Sequence, residues 1–286
     1  MFAAGILGTL SSTLQHFPLY LPIILVMFNR VHGIIIEIVN YFNERLTARQ
    51  FFMLSSVLVG LSAGLAAIVL KLFVHYISTR VEYYATNYEE FFLFTLFPLV
   101  GITLTVLYVN YILKGSLKRG AAEIVYAIAK KSSILPATEM YGHIITSALT
   151  VGFGGSTGLE SPIVSTGAAI GSNYGKTYKL SYKERTILLA CGAASGIAAV
   201  FNAPIAGVLF AIEVLLADVS VSAFIPLIIA AASGALLSNI ILDEGVILTF
   251  TQQIAFNYQN VPFYIVLGLL AGLLSLYYAQ VFNYVE

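Results

Sequence analysis

Residues 152–162 read Gly152-Phe153-Gly154-Gly155-Ser156-Thr157-Gly158-Leu159-Glu160-Ser161-Pro162. The apolar runs on either side, 144–153 and 163–170, are much shorter than the about 20 residues that cross a bilayer. Glycine frees the backbone to expose its N–H groups, and Pro162 suits the first turn of a helix, where a missing N–H costs nothing. The pattern predicts a turn followed by a helix that presents its positive dipole end, which is a place where an anion binds.

The composition explains why these broken segments belong in a membrane. Of the 286 residues, 59% are hydrophobic and only 10% are charged, whereas soluble domains carry about 25% charged residues. Lipid offers the backbone no hydrogen-bond partner, so the apolar runs are predicted to be helices. The formal net charge of zero excludes a strongly basic nucleic-acid surface. The single cysteine, Cys191, excludes an internal disulfide framework and a thiolate metal cluster.

The other apolar runs divide into long and short segments. Four runs are long enough to be predicted spans, namely 51–77, 91–113, 224–242 and 262–285, whereas 187–201 and 203–216 are short. Short segments interrupted by glycine or proline point to a substrate site at membrane depth. Residues 1–48 are predicted to form an N-terminal apolar segment and an interfacial helix at 31–46, ahead of a transmembrane domain at 49–286.

Charge placement orients these segments. The basic clusters within 114–131 and 176–185 are predicted to be cytoplasmic, and the acidic loop at 82–90 to be external. Residues 140–175 are therefore predicted to form a hairpin that rises from the cytoplasmic side and turns at 154–162.

Glu160 is the candidate functional side chain of this turn. Ionisable groups inside a membrane are costly and are functional candidates by default. The helix start that would hold an anion can also hold the Glu160 carboxylate, so the two would compete for one site, and protonation would release the side chain. A simpler interpretation stays open, in which Glu160 is an acidic helix cap at the membrane interface, because acidic residues are ordinary in a first turn.

Two blocks of the sequence resemble the CLC family of chloride channels and proton-coupled chloride antiporters. Gly158-Leu159-Glu160-Ser161-Pro162 is similar to the family's G-x-E-x-P motif, whose glutamate is the extracellular anion gate. Residues 192–213 read GAASGIAAVFNAPIAGVLFAIE and resemble the family signature G-A-A-x-G-x-A-A-x-F-x-A-P-x-A-G-x-x-F-x-x-E. Two blocks in this order make the resemblance specific, and it covers residues 49–286.

The resemblance implies an all-α, polytopic membrane protein with short broken helices in an inverted repeat. This chain would hold the N-terminal half of the repeat and half of each ion pathway. The expected protein is a homodimer in the bacterial plasma membrane that passes chloride or a similar small anion, with no enzymatic activity, organic cofactor or metal. Glu160 would be the gate and proton acceptor. The backbone at Gly158, Leu159, Glu160 and Ser161 would bind the anion, and Ser156 would assist.

The sequence departs from the family at two places that matter for mechanism. The family often has a G-S-G-x-P motif whose serine binds the central chloride, but Gly120 here has no serine beside it, and Ser116 lies nearby without the motif. Proton-coupled members often carry a second glutamate at the position of Val214, and valine cannot carry a proton. The sequence therefore favours a voltage-gated-type chloride channel slightly, with a proton-coupled antiporter as the alternative.

Glu213 and the pattern around Ser156 allow further interpretations. Glu213 is predicted to have a structural role, pairing with a basic group or capping a helix, over a direct role in transport. Gly154-x-Ser156-x-Gly158 matches the G-x-S-x-G pattern of serine hydrolases with His143 as candidate base, so a rhomboid-like intramembrane protease is the alternative from another class.

Small residues are predicted to let helices approach closely. Four glycine pairs at four-residue spacing predict such contacts: Gly60 with Gly64, Gly167 with Gly171, Gly192 with Gly196, and Gly268 with Gly272. The predicted dimer interface uses 203–216 and 224–242, where the small-residue stretch 230–235 would permit close contact.

Overall fold

The computed structural model describes residues 47–87, 91–117, 120–216, 221–242 and 258–285, and this part of the chain contains helices and no strand. The all-α prediction is therefore confirmed. The predicted N-terminal segment and its interfacial helix at 31–46 lie outside the described residues. The helices are α1 Ala48–Asn87, α2 Phe91–Leu107, α3 Gly120–Lys130, α4 Glu139–Gly152, α5 Glu160–Thr177, α6 Tyr182–Phe201, α7 Pro204–Phe210, α8 Val221–Ile241 and α9 Val261–Val285.

Two π-helical turns and a separate C-terminal unit complete the architecture. The turn Tyr108–Ile112 continues α2, and the turn Ala211–Leu215 continues α7. The chain divides into two compact units, Met1–Val246 and Ile247–Glu286. The described part of the second unit consists of a short 3₁₀ turn followed by α9.

The structure contains four helical stretches that are long and apolar enough to cross a membrane within the described residues: Arg49–Tyr84, Tyr182–Phe201, Ala223–Ile241 and Tyr258–Tyr284. Three of them confirm the spans predicted at 51–77, 224–242 and 262–285. The prediction that the run at 187–201 is too short was wrong, because α6 begins five residues earlier, at Tyr182. Ser181 and Glu184 form a capping box there, so a polar first turn lengthens the apolar helix.

Close helix crossings hold the first unit together around α6. A Cβ atom built on Gly167 of α5 would overlap the backbone oxygen of Gly192 of α6, and one on Gly171 would overlap the backbone of Leu188. Also on α6, the Ser195 hydroxyl donates a hydrogen bond to the carbonyl oxygen of Gly60 in α1 (2.6 Å). Glycine here lets backbones touch, so α5 is fixed against the best buried helix of the unit.

Three of the four predicted glycine pairs therefore lie at helix contacts, at 60 and 64, at 167 and 171, and at 192 and 196. The fourth pair lies in the second unit and stays a prediction.

The small-residue stretch of α8 packs inside the chain, which corrects its predicted place in a dimer interface. Ala231 is fully buried, and a Cβ atom on Gly234 would overlap the hydroxyl of Ser195 in α6. Small residues permit close contact equally well within a chain and between chains, so composition could not separate the two. The opposite face of α8 is apolar and exposed, with Ile228 at 44% and Leu236 at 62% exposure.

Candidate anion site at the start of helix α5

Helices α4 and α5 form the predicted hairpin, and residues 153–159 join them. The N–H group of Gly154 donates to the carbonyl oxygen of Val151, and that of Gly155 to the carbonyl oxygen of Thr150, both at 2.9 Å. Gly154 has φ +90°, a left-handed backbone conformation that favours glycine. These bonds end α4 tightly and direct the chain into the loop that leads to Glu160.

The first turn of α5 leaves backbone donors unused. Its first intrahelical bond runs from the N–H group of Ile163 to the carbonyl oxygen of Leu159 (3.1 Å), and Leu159 provides no side-chain cap. Pro162 has no N–H group, so the amides of Glu160 and Ser161 are the free donors of this turn. Two such amides at the positive end of a helix dipole are donors that suit a small anion.

The Glu160 side chain folds back onto this helix start. A Cβ atom built on Gly158 would overlap Oε2 of Glu160 and would lie 3.0 Å from its Cδ. The carboxylate therefore occupies the space that the missing side chain of Gly158 leaves open. Glu160 is exposed, as are Gly158 and Ser161, so an anion could reach the same position once the carboxylate moves away.

A second helix start lies against the first. α3 begins at Gly120, whose φ is +52°, and a Cβ atom on Gly120 would lie 2.8 Å from Oγ of Ser161. The hydroxyl of Ser161 thus lies at the meeting point of two helix N-termini. The serine that is missing beside Gly120 in the sequence has a candidate replacement here, one that only the contact between distant segments reveals.

The remaining predicted site residues have different surroundings. Leu159 is half-buried and packs against the apolar cluster that contains Ile163 and Ala199, so it anchors the loop while its backbone stays near the site. Ser156 is exposed in the loop, and its side chain makes no hydrogen bond in the described part of the chain. The structure therefore brings together Gly158, Leu159, Glu160 and Ser161, and it leaves Ser156 at the edge of the group.

The protease alternative finds no support in this geometry. His143 is buried in α4, nine residues before the last residue of that helix, which places it about 13 Å below the loop at 1.5 Å per residue. Within the described residues no hydrogen bond joins His143 to Ser156. A serine nucleophile requires a base within hydrogen-bond reach.

Glu213 and Val214 lie in the π-helical turn Ala211–Leu215, and both side chains are exposed. The expected pairing of Glu213 is not found, because in the described part of the chain its side chain makes no ion pair or hydrogen bond. Two other ionisable residues, Glu139 and His143, are buried in α4. The sequence pattern contains a signal for this pair, because two ionisable residues lie four positions apart in an apolar segment, although His143 was predicted only as a candidate base and Glu139 was not predicted to have a role.

The fold and the site together define a class of protein: a multi-span α-helical membrane protein whose helices break around a helix start suited to an anion. A family model described as voltage gated chloride channel matches residues 99–286, about two thirds of the chain. The chain therefore belongs to the voltage-gated chloride channel, or CLC, family and is an integral membrane protein. The family assignment inferred from the two sequence blocks is confirmed.

Known proteins similar to this chain fall on both sides of the channel and exchanger division. The chain is 30% identical over 182 residues to a ClcB-like protein of Ralstonia nicotianae that is named as a chloride channel protein, and the match covers 62% of this chain and 42% of that protein. It is 28% identical over 265 residues to the H⁺/Cl⁻ exchange transporter ClcA of Vibrio cholerae, covering 87% and 54%. A solved CLC-type fluoride/proton antiporter matches with a TM-score of 0.66 and 26% identity, covering 80% and 56%. The chain thus spans about half the length of these relatives.

Proposed function

We propose that this chain supplies the outer gate of a transmembrane pathway for chloride or a similar small anion. The observation that carries the proposal is the position of the Glu160 carboxylate, which lies over Gly158 at the N-terminus of its own helix. The amides of Glu160 and Ser161 are free of intrahelical bonds at the same place. One site thus has two competing occupants, a tethered carboxylate and a mobile anion.

The competition gives the gate its chemistry. Two negative charges cannot share one helix start at low cost, so the ionised side chain excludes the anion. Protonation removes the charge of Glu160 and with it the attraction to the helix dipole, so the side chain leaves and the anion enters. The backbone of Gly158 and Leu159 permits the close approach, the hydroxyl of Ser161 is an additional donor, and Ser156 would contribute least.

Proton-coupled exchange is the second candidate mode, beside a passive channel. The relatives favour exchange, because the Vibrio cholerae protein is named as an exchange transporter and the matching solved structure is a fluoride/proton antiporter. Val214 favours a channel, because it provides no proton acceptor where an inner one was expected. In both modes Glu160 accepts the outer proton.

We also propose a homodimer in the plasma membrane of a bacterium. Ile228 and Leu236 of α8 and Ile205 of α7 expose large apolar side chains, so the outward faces of these two helices are available for a second copy. The small-residue stretch of α8 does not contribute, because it packs on α1 and α6.

Chloride efflux from liposomes that contain the full-length protein tests the gate. Efflux through the wild type should increase as the external pH falls, because protonation empties the helix start. Glu160→Gln should give high efflux that no longer depends on external pH. The matched control is Glu82→Gln, which removes an exposed carboxylate beside the same loop, where Glu82 and Gly154 line one cavity. Efflux through Glu160→Gln with the pH dependence of the wild type would reject the proposal, and so would equal effects of the two variants.

A further inference from the structure

Helix α4 carries a stripe of polar side chains below the gate loop. Glu139, His143, Thr146 and Thr150 follow one another at spacings of four, three and four residues, which places them on one helix face. Glu139 is 2% exposed and His143 is 8% exposed, although α4 lies in a membrane protein. Buried ionisable side chains at membrane depth are costly, and they mark ion or proton pathways.

Hydrogen bonds extend this stripe from His143 to the loop. The Thr146 hydroxyl donates to the carbonyl oxygens of Gly142 (2.9 Å) and His143 (3.3 Å), and that of Thr150 donates to the carbonyl oxygen of Thr146 (2.9 Å). On α2, the hydroxyl of Thr105 lies 3.0 Å from that of Thr150. The carbonyl oxygen of Thr150 then accepts the N–H group of Gly155. These bonds end on backbone carbonyls, so they keep this face of α4 polar up to the loop that carries Glu160, and water molecules along the face would have to carry a proton.

The lower end of the stripe is packed against α5. The Thr166 hydroxyl lies 3.5 Å from the carbonyl oxygen of Glu139. The imidazole of His143 is buried, and its Nε2 has no hydrogen-bond partner among the described residues. This nitrogen is therefore an open hydrogen-bond position of the stripe, although burial disfavours the charged imidazolium.

The helices packed on α4 contribute few other ionisable groups at this level. α5 has no titratable side chain between Glu160 and Tyr174, and α1 has none between Arg49 and Lys71. α2 has none from Phe91 to Leu107, although Tyr108 and Tyr111 follow in its π-helical turn. Glu139 and His143 are therefore the two buried ionisable side chains at this level of α4.

The position of the pair along the membrane suits an inner proton site. α4 contains 14 residues from Glu139 to Gly152 and is about 21 Å long at 1.5 Å per residue. This length covers about two thirds of a hydrocarbon layer of about 30 Å. The Glu139 end of α4 follows the basic residues Lys130 and Lys131, which the positive-inside rule places in the cytoplasm. Glu139 and Glu160 therefore lie toward opposite sides of the membrane.

We propose that Glu139 and His143 form the inner proton-accepting site of this protein and exchange protons with Glu160 along the polar face of α4. The inference rests on the proposed role of Glu160 as outer gate. In each cycle the pair takes one proton from the cytoplasmic side, and water molecules along the polar face of α4 carry a proton to the Glu160 carboxylate, which becomes neutral and leaves the helix start. Release of the same proton to the outside restores the carboxylate. The pair thereby supplies the acid that Val214 lacks.

Simultaneous recording of chloride and proton movement across liposomes with the full-length protein tests this site. Glu139→Gln should lower the number of protons moved per chloride at least about tenfold while chloride flux persists, because the inner acid is removed but the anion path is not. His143→Gln should lower the same ratio. Glu139→Asp keeps the acid and should retain coupling, and if Glu139→Gln does not fold, His143→Gln provides the test for loss of coupling. The matched control is Glu123→Gln, which removes a carboxylate of α3 that forms a partly exposed ion pair with Lys131 (2.7 Å).

The outcomes separate this inference from the proposed function. Unchanged coupling in both Glu139→Gln and His143→Gln overturns the inner site. A wild type whose reversal potential ignores a pH gradient also overturns it, yet leaves anion passage through the Glu160 gate standing. Absence of chloride flux in the wild type contradicts the proposed function itself. Loss of coupling in Glu123→Gln to the same extent would show that the effect is not specific to α4, and would reject the pair as the site.

Discussion

Replacing Gly158 by alanine would act directly on the closed position of the gate. The added methyl group would overlap Oε2 of Glu160 and lie 3.0 Å from Cδ, so the carboxylate could not remain over the helix start. The backbone of Gly158 lies outside the left-handed region, so alanine fits there without strain. Because the Glu160 side chain is exposed and flexible, the carboxylate is expected to move rather than the backbone.

The size of the effect follows from what the carboxylate loses. A negative side chain at a helix N-terminus contributes about 0.3–1 kcal/mol, and up to about 2 kcal/mol in favourable geometry. Since 1.4 kcal/mol is a factor of ten, the ratio of open to closed gate should rise by about two- to thirtyfold. Chloride efflux at neutral pH should rise accordingly, and its dependence on external pH should weaken. The stability of the protein should change by no more than about 1 kcal/mol.

A double-mutant cycle with Glu160→Gln distinguishes displacement of the gate from obstruction of the anion site. In the Glu160→Gln background the carboxylate is already absent, so Gly158→Ala should have little further effect on efflux. If the methyl group instead lowered efflux by the same factor in both backgrounds, it would be blocking the anion. That result would refute the inference that the carboxylate fills this space.

Three further predictions concern the anion ligands, the helix crossing and the dimer. Ser161→Ala should weaken chloride binding by about ten- to a hundredfold, measured by calorimetry, because a donor to a charged group contributes about 1.5–3 kcal/mol; Ser156→Ala should change it far less, and equal losses would contradict the different placement of the two hydroxyls. Gly167→Ala should destabilise the protein by about 3 kcal/mol or more, because the methyl group meets backbone of α6; an unchanged thermal midpoint in detergent would contradict the close crossing. A cysteine at Ile228 should crosslink two copies of the full-length protein, whereas one at buried Ala231 should not, and the reverse pattern would place the interface elsewhere.

The sequence was sufficient to predict the features that depend on local chemistry. The turn at 154–162, the helix start at Glu160 and the spans at 51–77, 224–242 and 262–285 follow from glycine, proline and apolar runs, and the structure contains all of them. These features are local because lipid forces each segment to satisfy its own backbone hydrogen bonds.

Features that depend on contacts between distant segments could not be predicted in the same way. Gly120 and Ser161 are 41 positions apart, so their contact depends on how α3 packs on α5. The stretch 230–235 was assigned to a dimer surface because small residues show where backbones approach, but not which helix approaches them. The start of α6 at Tyr182 was missed for another reason: hydropathy marks the apolar part of a helix, whereas a polar capping box sets its end.

Bromide, which can replace chloride and is located by anomalous X-ray scattering, shows directly whether the anion and the Glu160 side chain share one site. In crystals of the full-length Glu160→Gln variant, bromide is expected within about 3.5 Å of the amide nitrogens of residues 160 and 161, close to hydrogen-bond distance. In wild-type crystals at neutral pH, the Glu160 carboxylate is expected over Gly158 with no bromide at that position. Bromide bound at the helix start while the carboxylate remains over Gly158, or no bromide there in the variant, would contradict the proposed gate.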